Sequence, residues 1–325
     1  MKRLLILFIS LVFASLCAFA KDVKILTIGN SFSASVFEYF PKIVEDFPDC
    51  KLTLGSANHG GCSLDRHWKY ISEEEADPTV SRYNKAFVAE SYCSANPTAK
   101  SRKRGGNRLG EILKGTPWDF VTIQQQSGRS WQRDTYYPFA DNVYAYVKKN
   151  APKAEVIVHQ TWSYRCDDPR IKQGGVWGID QTEMFKRAEA NYAELAKKYN
   201  LRVVPTGLAV QNYRAVEKNP FKPYTKEYLT TFKYPNVPSC KGDVVGRHFW
   251  KKDKKDGKLK LRGDYIHLNE EGKYMQACLW FGFFFEKDPI EIKFVPKQIS
   301  PEDAKLLREI ASKTLKEFKQ PRDSK

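Results

Sequence analysis

Five short runs of apolar and β-branched residues limit the possible folds of this chain more than any other feature. Each run is almost continuously apolar, as is typical of strands buried on both faces of a parallel sheet. Segments with helical periodicity separate several of these runs, at 37–47, 137–150 and 181–199. The pattern predicts an α/β fold, a three-layer α/β/α sandwich around a central, mostly parallel sheet of five strands. The predicted strands are 23–28, 51–54, 120–123, 155–158 and 202–204.

Two more helices are predicted near the C-terminus. One covers 269–285, with Asn269 as its N-cap. The other follows Ser300, a favourable N-cap, places Pro301 at its first helical position and runs to about Phe318. The apolar residues of this last helix lie near one face, which indicates packing against the core.

Three segments fit poorly into a minimal sandwich, at 65–115, 163–180 and 211–262. They are rich in Arg, Lys, Tyr, Trp, Gly and Pro, and we interpret them as loops and small insertions between core elements. Loops above a rigid sheet are where substrate specificity usually resides. No repeat and no clear linker divides the chain, so we predict a single domain over 21–325.

The first residues are typical of an export signal. Basic residues at 2–3 precede an apolar run at 4–13 and a small-x-small site at 18–20. We therefore predict a signal peptide over 1–20, cleaved after Ala20, and a secreted or periplasmic protein. The apolar run is too short to span a bilayer, and no later segment is long and apolar enough, so no stable membrane insertion is expected after cleavage.

Six cysteines follow the predicted signal peptide. An oxidising compartment permits disulfides, and we expect a few structural disulfides together with buried thiols, in pairings that spacing alone does not decide. The sequence contains no CxxC or HxxxH spacings, which are the patterns that would indicate a metal site.

The formal net charge of +16 favours polyanionic partners such as an acidic polysaccharide or an anionic cell surface. The alternative is a lysine-rich surface that is simply solvated. Part of the charge lies at 251–255, which we interpret as an exposed loop. No nucleic-acid-binding motif accompanies it, and export argues against a nucleic-acid partner.

Serine chemistry is indicated where the first predicted strand ends, at Gly29-Asn30-Ser31. Ligands bind at the carboxyl ends of strands in open α/β sheets. A serine needs a base to take its proton, and Asp264-x-x-His267 can supply one, with the carboxylate holding one imidazole nitrogen and the other nitrogen facing the serine. Taken singly, each group is an ordinary turn, cap or surface residue.

Four short blocks together resemble the SGNH/GDSL hydrolases. GNS at 29–31 resembles their first block, with Asn in place of the usual Asp, and DxxH at 264–267 resembles their last. GGCSL at 60–64 is similar to the second block, in the form found in carbohydrate acetylesterases related to sialate O-acetylesterase. QQQS at 124–127 resembles the QGES of those enzymes and departs from the GxND of the wider superfamily. The whole pattern is most similar to the exported GNSFS-type bacterial family DUF4886.

The resemblance implies a flavodoxin-like SGNH hydrolase fold and a role for each matched residue. Ser31 would attack the ester carbonyl, His267 would act as general base and then general acid, and Asp264 would hold and polarise His267. No metal or organic cofactor is implied. The oxyanion would accept hydrogen bonds from the backbone N–H groups of Ser31 and Gly61 and from the side-chain amide of Gln124.

The departure from GxND leaves the side-chain donor open, and Gln126 is the alternative to Gln124. Because neighbouring residues of a strand point to opposite faces, Gln125 is the least suitable of the three glutamines as an oxyanion donor. The second-block donor can likewise shift from the favoured glycine to Cys62 or Ser63.

Four further residues are candidate substrate contacts. Trp162 follows the fourth predicted strand and can stack on a sugar ring, although a core position is an equal alternative. Arg129 and Trp131 follow the glutamine run and can line the cleft. Arg66 follows the second block and can bind a carboxylate or sulfate, with a surface salt bridge as the alternative for either arginine.

These observations predict a secreted serine esterase that removes ester groups, with acetyl groups expected, from a carbohydrate, and the basic charge suggests an acidic polysaccharide. A lipid esterase or thioesterase with the same catalytic residues is a second interpretation. A glycan-binding protein without turnover is a third.

Overall fold

The computed structural model describes residues 21–89, 102–104 and 108–323. The predicted signal peptide and Cys93 lie outside the described residues. The predicted α/β fold class is confirmed: helices cover both faces of one central sheet.

The central sheet has seven strands, in the spatial order β4-β3-β2-β1-β5-β6-β7. All five predicted strands are present, and they pair in parallel with one another. Two further strands, β3 and β4, add to one edge in antiparallel orientation, so the sheet exceeds the predicted five. Each of these has only three residues, too few for a recognisable apolar run. The strands are β1 Lys21–Ile28, β2 Cys50–Ser56, β3 Phe87–Ala89, β4 Arg102–Arg104, β5 Phe120–Ile123, β6 Glu155–His159 and β7 Arg202–Val204.

The described part of the chain contains ten α-helices. Both predicted N-caps are present. The Asn269 side chain accepts a hydrogen bond from the backbone N–H of Gly272, and the Ser300 side chain accepts one from the backbone N–H of Asp303. The helices are α1 Ser31–Ala34, α2 Phe40–Glu45, α3 Leu64–Ala76, α4 Leu109–Lys114, α5 Phe139–Asn150, α6 Gln181–Tyr199, α7 Thr206–Val216, α8 Lys226–Thr230, α9 Glu270–Phe285 and α10 Pro301–Glu317.

Two hydrophobic cores lie on opposite faces of the sheet. Neighbouring residues of a strand point to opposite faces, so Ile25 belongs to one core and Leu26 to the other. The first core holds α2, α7, α9 and α10, and the second holds α3, α4, α5 and α6. Helix α9 is buried on nearly all sides, which explains its almost uniformly apolar sequence.

A separate antiparallel hairpin stands beside the sheet. Its strands are β8 Val245–Lys252 and β9 Leu259–Leu268, and β9 ends directly before the cap of α9. Lys251 and Lys252 therefore end a strand, and the exposed loop predicted at 251–255 is wrong for these two residues. The reason is that the hairpin ladder extends to these two lysines, which pair with Lys260 and Leu259, so that the turn begins only after them.

The other predicted insertions differ from one another. Residues 163–180 contain neither helix nor strand, whereas 65–115 include most of α3 together with β3, β4 and α4. No helix within the described ranges is long and apolar enough to cross a membrane.

The cysteines of the described ranges are all free thiols, so the expected structural disulfides are absent from this part of the chain. Three of these thiols are buried, where cysteine packs as a small apolar side chain without forming a disulfide. The buried cysteines are Cys50, Cys62 and Cys278, and Cys166 and Cys240 are partly exposed.

Candidate active site

Ser31 lies at the carboxyl end of β1, in the middle of the sheet. Asn30 leaves the strand in an extended conformation, and its side-chain Oδ1 accepts a hydrogen bond from the backbone N–H of Phe32 at 3.0 Å. This cap starts the short helix α1 at Ser31, whose own N–H is among the first-turn groups without an intrahelical acceptor. The local sequence therefore holds the serine at a sharp strand-to-helix turn, partly exposed.

The structure brings Ser31, His267 and Asp264 together. His267 Nε2 lies 2.8 Å from Ser31 Oγ, and His267 Nδ1 lies 2.9 Å from Asp264 Oδ2. The imidazole is 37% exposed and the carboxylate 14% exposed, so the histidine faces the cleft and the aspartate lies behind it. Both residues lie near the end of β9, which places them beside β1 although 233 residues or more separate them from the serine in sequence.

Asp264 is held as a carboxylate. Burial raises its pKa, but the hydrogen bond and charge of His267 outweigh burial, helped by the backbone N–H groups of Ile266 and His267. Together they lower the pKa to about 2. Both backbone donors bind Oδ1 at 3.1 Å, which leaves Oδ2 for the imidazole and fixes the orientation of the ring.

Hydrogen bonds join the loops that follow three neighbouring strands, β2, β1 and β5. Asn30 Nδ2 donates to the carbonyl of Cys62 at 3.0 Å, and Gln124 Nε2 donates to Asn30 Oδ1 at 2.9 Å. The buried imidazole of His67, whose pKa burial lowers to about 3, contacts the carbonyl of Gly29 at 3.1 Å. Asn30 thus occupies the position of the usual Asp and links the first block to the second and third.

The predicted oxyanion donors have different surroundings. Gly61 is exposed, adopts the left-handed conformation with φ of 62°, and its N–H donates to no described residue. The N–H of Cys62 is already bound to the carbonyl of His59 at 3.1 Å, which removes that alternative as the chain stands. The N–H of Gly61 therefore remains the favoured donor of the second block, and that of Ser63 remains its alternative.

Gln124 and Gln126 also differ. Gln124 is 1% exposed, its amide N–H binds Asn30, and its Oε1 accepts from Ser33 and contacts His159. Gln126 is partly exposed, and its side chain forms no hydrogen bond within the described ranges. To donate to an oxyanion, the amide of Gln124 would have to break its hydrogen bond to Asn30. The amide of Gln126 would not have to break any hydrogen bond.

A family model described as "Domain of unknown function (DUF4886)" matches residues 24–228, which is more than half of the chain. The chain belongs to the DUF4886 family. Its fold is similar to the crystal structure of a DUF4886 family protein from Bacteroides uniformis ATCC 8492, with a TM-score of 0.68 and 22% identity. That similarity covers 94% of this chain and 97% of the other. The search of curated proteins gave no match.

Weaker similarities extend to two other solved structures. One is a candidate SGNH hydrolase from Slackia heliotrinireducens, with a TM-score of 0.43 and 16% identity, covering 81% of this chain and 99% of that one. The other is a candidate GDSL-like lipase from Parabacteroides merdae ATCC 43184, with a TM-score of 0.43 and 12% identity, covering 83% and 98%.

Trp162 of this DUF4886 protein is a core residue, so its predicted contact with a sugar is wrong. The side chain is 1% exposed and stacks on Phe32 at 4.0 Å between ring centres. Its indole N–H donates to the carbonyl of Ile266 at 2.8 Å. Trp162 therefore contacts both neighbours of the candidate catalytic pair, Phe32 beside Ser31 and Ile266 beside His267.

The other predicted substrate contacts lie near the surface. Arg129 donates to Asp65 at 2.7 Å, and Arg66 donates to Tyr70 at 2.7 Å while remaining exposed. Trp131 is partly buried and packs against Trp177 at 5.5 Å between ring centres. Arg129 thus forms a surface ion pair with Asp65, which was the alternative to a substrate contact.

Two residues of the site escaped the sequence analysis. Phe32 lies edge-on to His267 at 5.7 Å between ring centres, and its only signal is its position after Ser31. Arg247 lies opposite Asp264 in the hairpin, with Nε 3.9 Å from Asp264 Oδ2. No local pattern indicates Arg247, because strand pairing alone brings it to the site.

Proposed function

We propose that this DUF4886 protein is a serine ester hydrolase. The observation that carries the proposal is the position of the His267 imidazole, within hydrogen-bond distance of the Ser31 hydroxyl on one side and the Asp264 carboxylate on the other. A base oriented by a buried carboxylate is what a serine hydroxyl needs to become a nucleophile.

The reaction proceeds through an acyl-enzyme. Ser31 Oγ attacks the ester carbonyl while its proton passes to His267 Nε2, and the tetrahedral intermediate expels the alcohol, which takes that proton. A water molecule then gives a proton to the same nitrogen and attacks the acyl-serine. Collapse of the second tetrahedral intermediate returns that proton to Ser31 Oγ and releases the carboxylic acid. Asp264 stays ionised throughout and stabilises the imidazolium, consistent with its low pKa.

The oxyanion of each tetrahedral intermediate is assigned to three donors. The backbone N–H groups of Ser31 and Gly61 provide two, and we assign the third to Gln126 because the amide of Gln124 is buried and engaged with Asn30. Each such donor typically contributes about 3 kcal/mol to the stabilisation of the transition state.

We further propose that the substrate is an O-acetyl group on a carbohydrate outside the cytoplasm. The acetyl assignment rests on the similarity of the second and third blocks to carbohydrate acetylesterases, and the location rests on the signal-like N-terminus. The positive net charge favours an acidic polysaccharide over a neutral one.

Acetate release from a panel of acetylated polysaccharides tests this proposal, with Ser31→Ala as the control. We expect the variant to lose at least about a thousandfold in kcat, because binding alone does not replace the nucleophile. The rates with p-nitrophenyl esters of increasing chain length test the acyl group. Preference for acetate supports the proposal, whereas preference for long chains favours a lipid esterase. Absence of any turnover with folded protein contradicts a hydrolase.

A further inference from the structure

The hairpin that carries Asp264 presents one strongly basic face. Directly paired residues of an antiparallel ladder point to the same side, and alternate residues along a strand share that side. The pairs Arg247–Asp264, Phe249–Arg262 and Lys251–Lys260 follow this pattern. We call these six residues the basic hairpin face. It carries four cations, one aromatic ring and the candidate catalytic carboxylate.

Charge on the hairpin is poorly balanced. Residues 245–268 contain eight lysines and arginines against three aspartates. Asp253 binds both Lys260 and Arg262 at 2.9 Å. Other basic residues of the hairpin have no ion pair within the described ranges, so the region keeps a net positive charge. They are Lys251, Lys252, Lys254, Lys255 and Lys258.

A depression of about 410 Å³ lies on this face. The lining consists of Phe249, Arg262, Asp253 and four lysines, Lys251, Lys252, Lys254 and Lys255. Asp253 is the one acidic group among them, and it is already paired with Lys260 and Arg262. The ring is partly buried among cations that reach further into solvent. An aromatic ring surrounded by cations suits a flat, negatively charged group of modest size, such as a sugar ring that bears a carboxylate or sulfate.

Arg247 connects this depression with the candidate active site. Its guanidinium lies 5.6 Å from the centre of the Phe249 ring, and its Nε lies 3.9 Å from Asp264 Oδ2. The side chain is 56% exposed, so it remains available to a ligand. From Asp264 to Lys260 the strand rises about 14 Å, which is long enough for more than one sugar ring.

We propose that the basic hairpin face binds an acidic polysaccharide and leads it to Ser31. The proposal rests on the proposed esterase function and names the class of its substrate. A polysaccharide is favoured over a membrane surface because the one aromatic side chain of the face lies among projecting cations, where a sugar ring reaches it and a flat bilayer does not.

Direct binding tests this surface without requiring turnover. The probe is a fluorescent, unesterified oligogalacturonate, and a neutral cello-oligosaccharide of equal length is the comparison, both measured with Ser31→Ala protein by anisotropy. We expect the acidic probe to bind more tightly. Raising the salt from about 0.1 M to about 1 M shortens the screening length from about 10 Å to about 3 Å, so its affinity is expected to fall at least about tenfold.

Two double variants with equal loss of charge locate the site. Lys251→Gln/Arg262→Gln removes two cations of the basic hairpin face, and we expect at least about a tenfold loss of affinity, since charge-assisted hydrogen bonds are lost. Lys305→Gln/Lys313→Gln removes two exposed cations of α10, where the side chains are 73% and 62% exposed, and affinity is expected to stay within about twofold. Circular dichroism checks that both variants are folded.

Equal losses in the two double variants, or equal binding of the neutral probe, overturn the proposal. Tighter binding to phosphatidylglycerol vesicles than to the acidic probe, lost in the hairpin variant, also overturns it in favour of a lipid surface. Hairpin-dependent binding without ester hydrolysis refutes only the esterase. Hydrolysis of acetylated glycans with unchanged binding in the hairpin variant refutes only this surface.

Discussion

Replacement of Trp162 by Phe separates positioning of the catalytic groups from packing of the core. The variant keeps an aromatic ring against Phe32 but loses the indole N–H that donates to the carbonyl of Ile266 at 2.8 Å. Because Ile266 immediately precedes His267, this hydrogen bond fixes the backbone that carries the proposed base.

The expected effects follow from that single contact. The carbonyl of Ile266 is partly buried, and the loss of such a hydrogen bond typically costs about 0.5–1.5 kcal/mol, which is the expected fall in the free energy of unfolding. A shift of the proposed base by about 1 Å costs roughly a hundredfold in rate. We therefore expect kcat for p-nitrophenyl acetate to fall roughly 10- to 100-fold in Trp162→Phe, with a much smaller change in KM.

Trp280→Phe is the matched control. Trp280 in α9 is fully buried, and its indole nitrogen has no hydrogen-bond partner in the described structure. This substitution removes buried ring surface without breaking a hydrogen bond, so it is expected to lower stability while kcat stays within about threefold. Urea unfolding and steady-state kinetics measure both quantities. Unchanged kcat in Trp162→Phe, or equal losses of kcat in the two variants, would refute the positioning argument.

Three further predictions concern Asp264 and the two glutamines. Folding lowers the pKa of Asp264 from 3.8 to about 2, so its ionised form stabilises the folded state above about pH 4. This contribution of at most about 2 kcal/mol is lost as the pH falls towards 2. Acid unfolding should show this dependence in the wild type and a weaker one in Asp264→Asn. Gln126→Ala is expected to lower kcat about 10²- to 10³-fold with little change in stability, as measured by ester hydrolysis. Gln124→Ala is expected to lower the unfolding midpoint in urea because its buried amide links Asn30 to Ser33 and His159; a change in kcat alone would contradict this.

Much of the fold was predictable because parallel strands have a simple sequence pattern. The runs that became β1, β2 and β5 are apolar on both faces, and their parallel pairing brings the segments that follow them to one edge. The order of the short blocks along the chain then predicted which side chains meet there. Ser31 and Asp264 each lie within hydrogen-bond distance of His267, as the pattern predicted.

Other features depend on contacts that no local pattern encodes. The pairing of Arg247 with Asp264 arises from hairpin register, and the alternating cations of β9 resemble an exposed loop when read alone. Trp162 has the residue type and the position of a sugar platform, but its indole N–H has an acceptor inside the protein, which only the structure reveals. Burial and hydrogen bonding also distinguish Gln124 from Gln126, and only the structure shows this difference.

Labelling with a fluorophosphonate, followed by peptide mass mapping, tests the central claim most directly. The hydrogen bond from Ser31 to His267 at 2.8 Å predicts a single covalent adduct on Ser31. Ser31→Ala protein should remain unlabelled, and His267→Ala protein should react far more slowly. Folded wild-type protein that forms no adduct, or an adduct on another residue that persists in Ser31→Ala, would contradict the account.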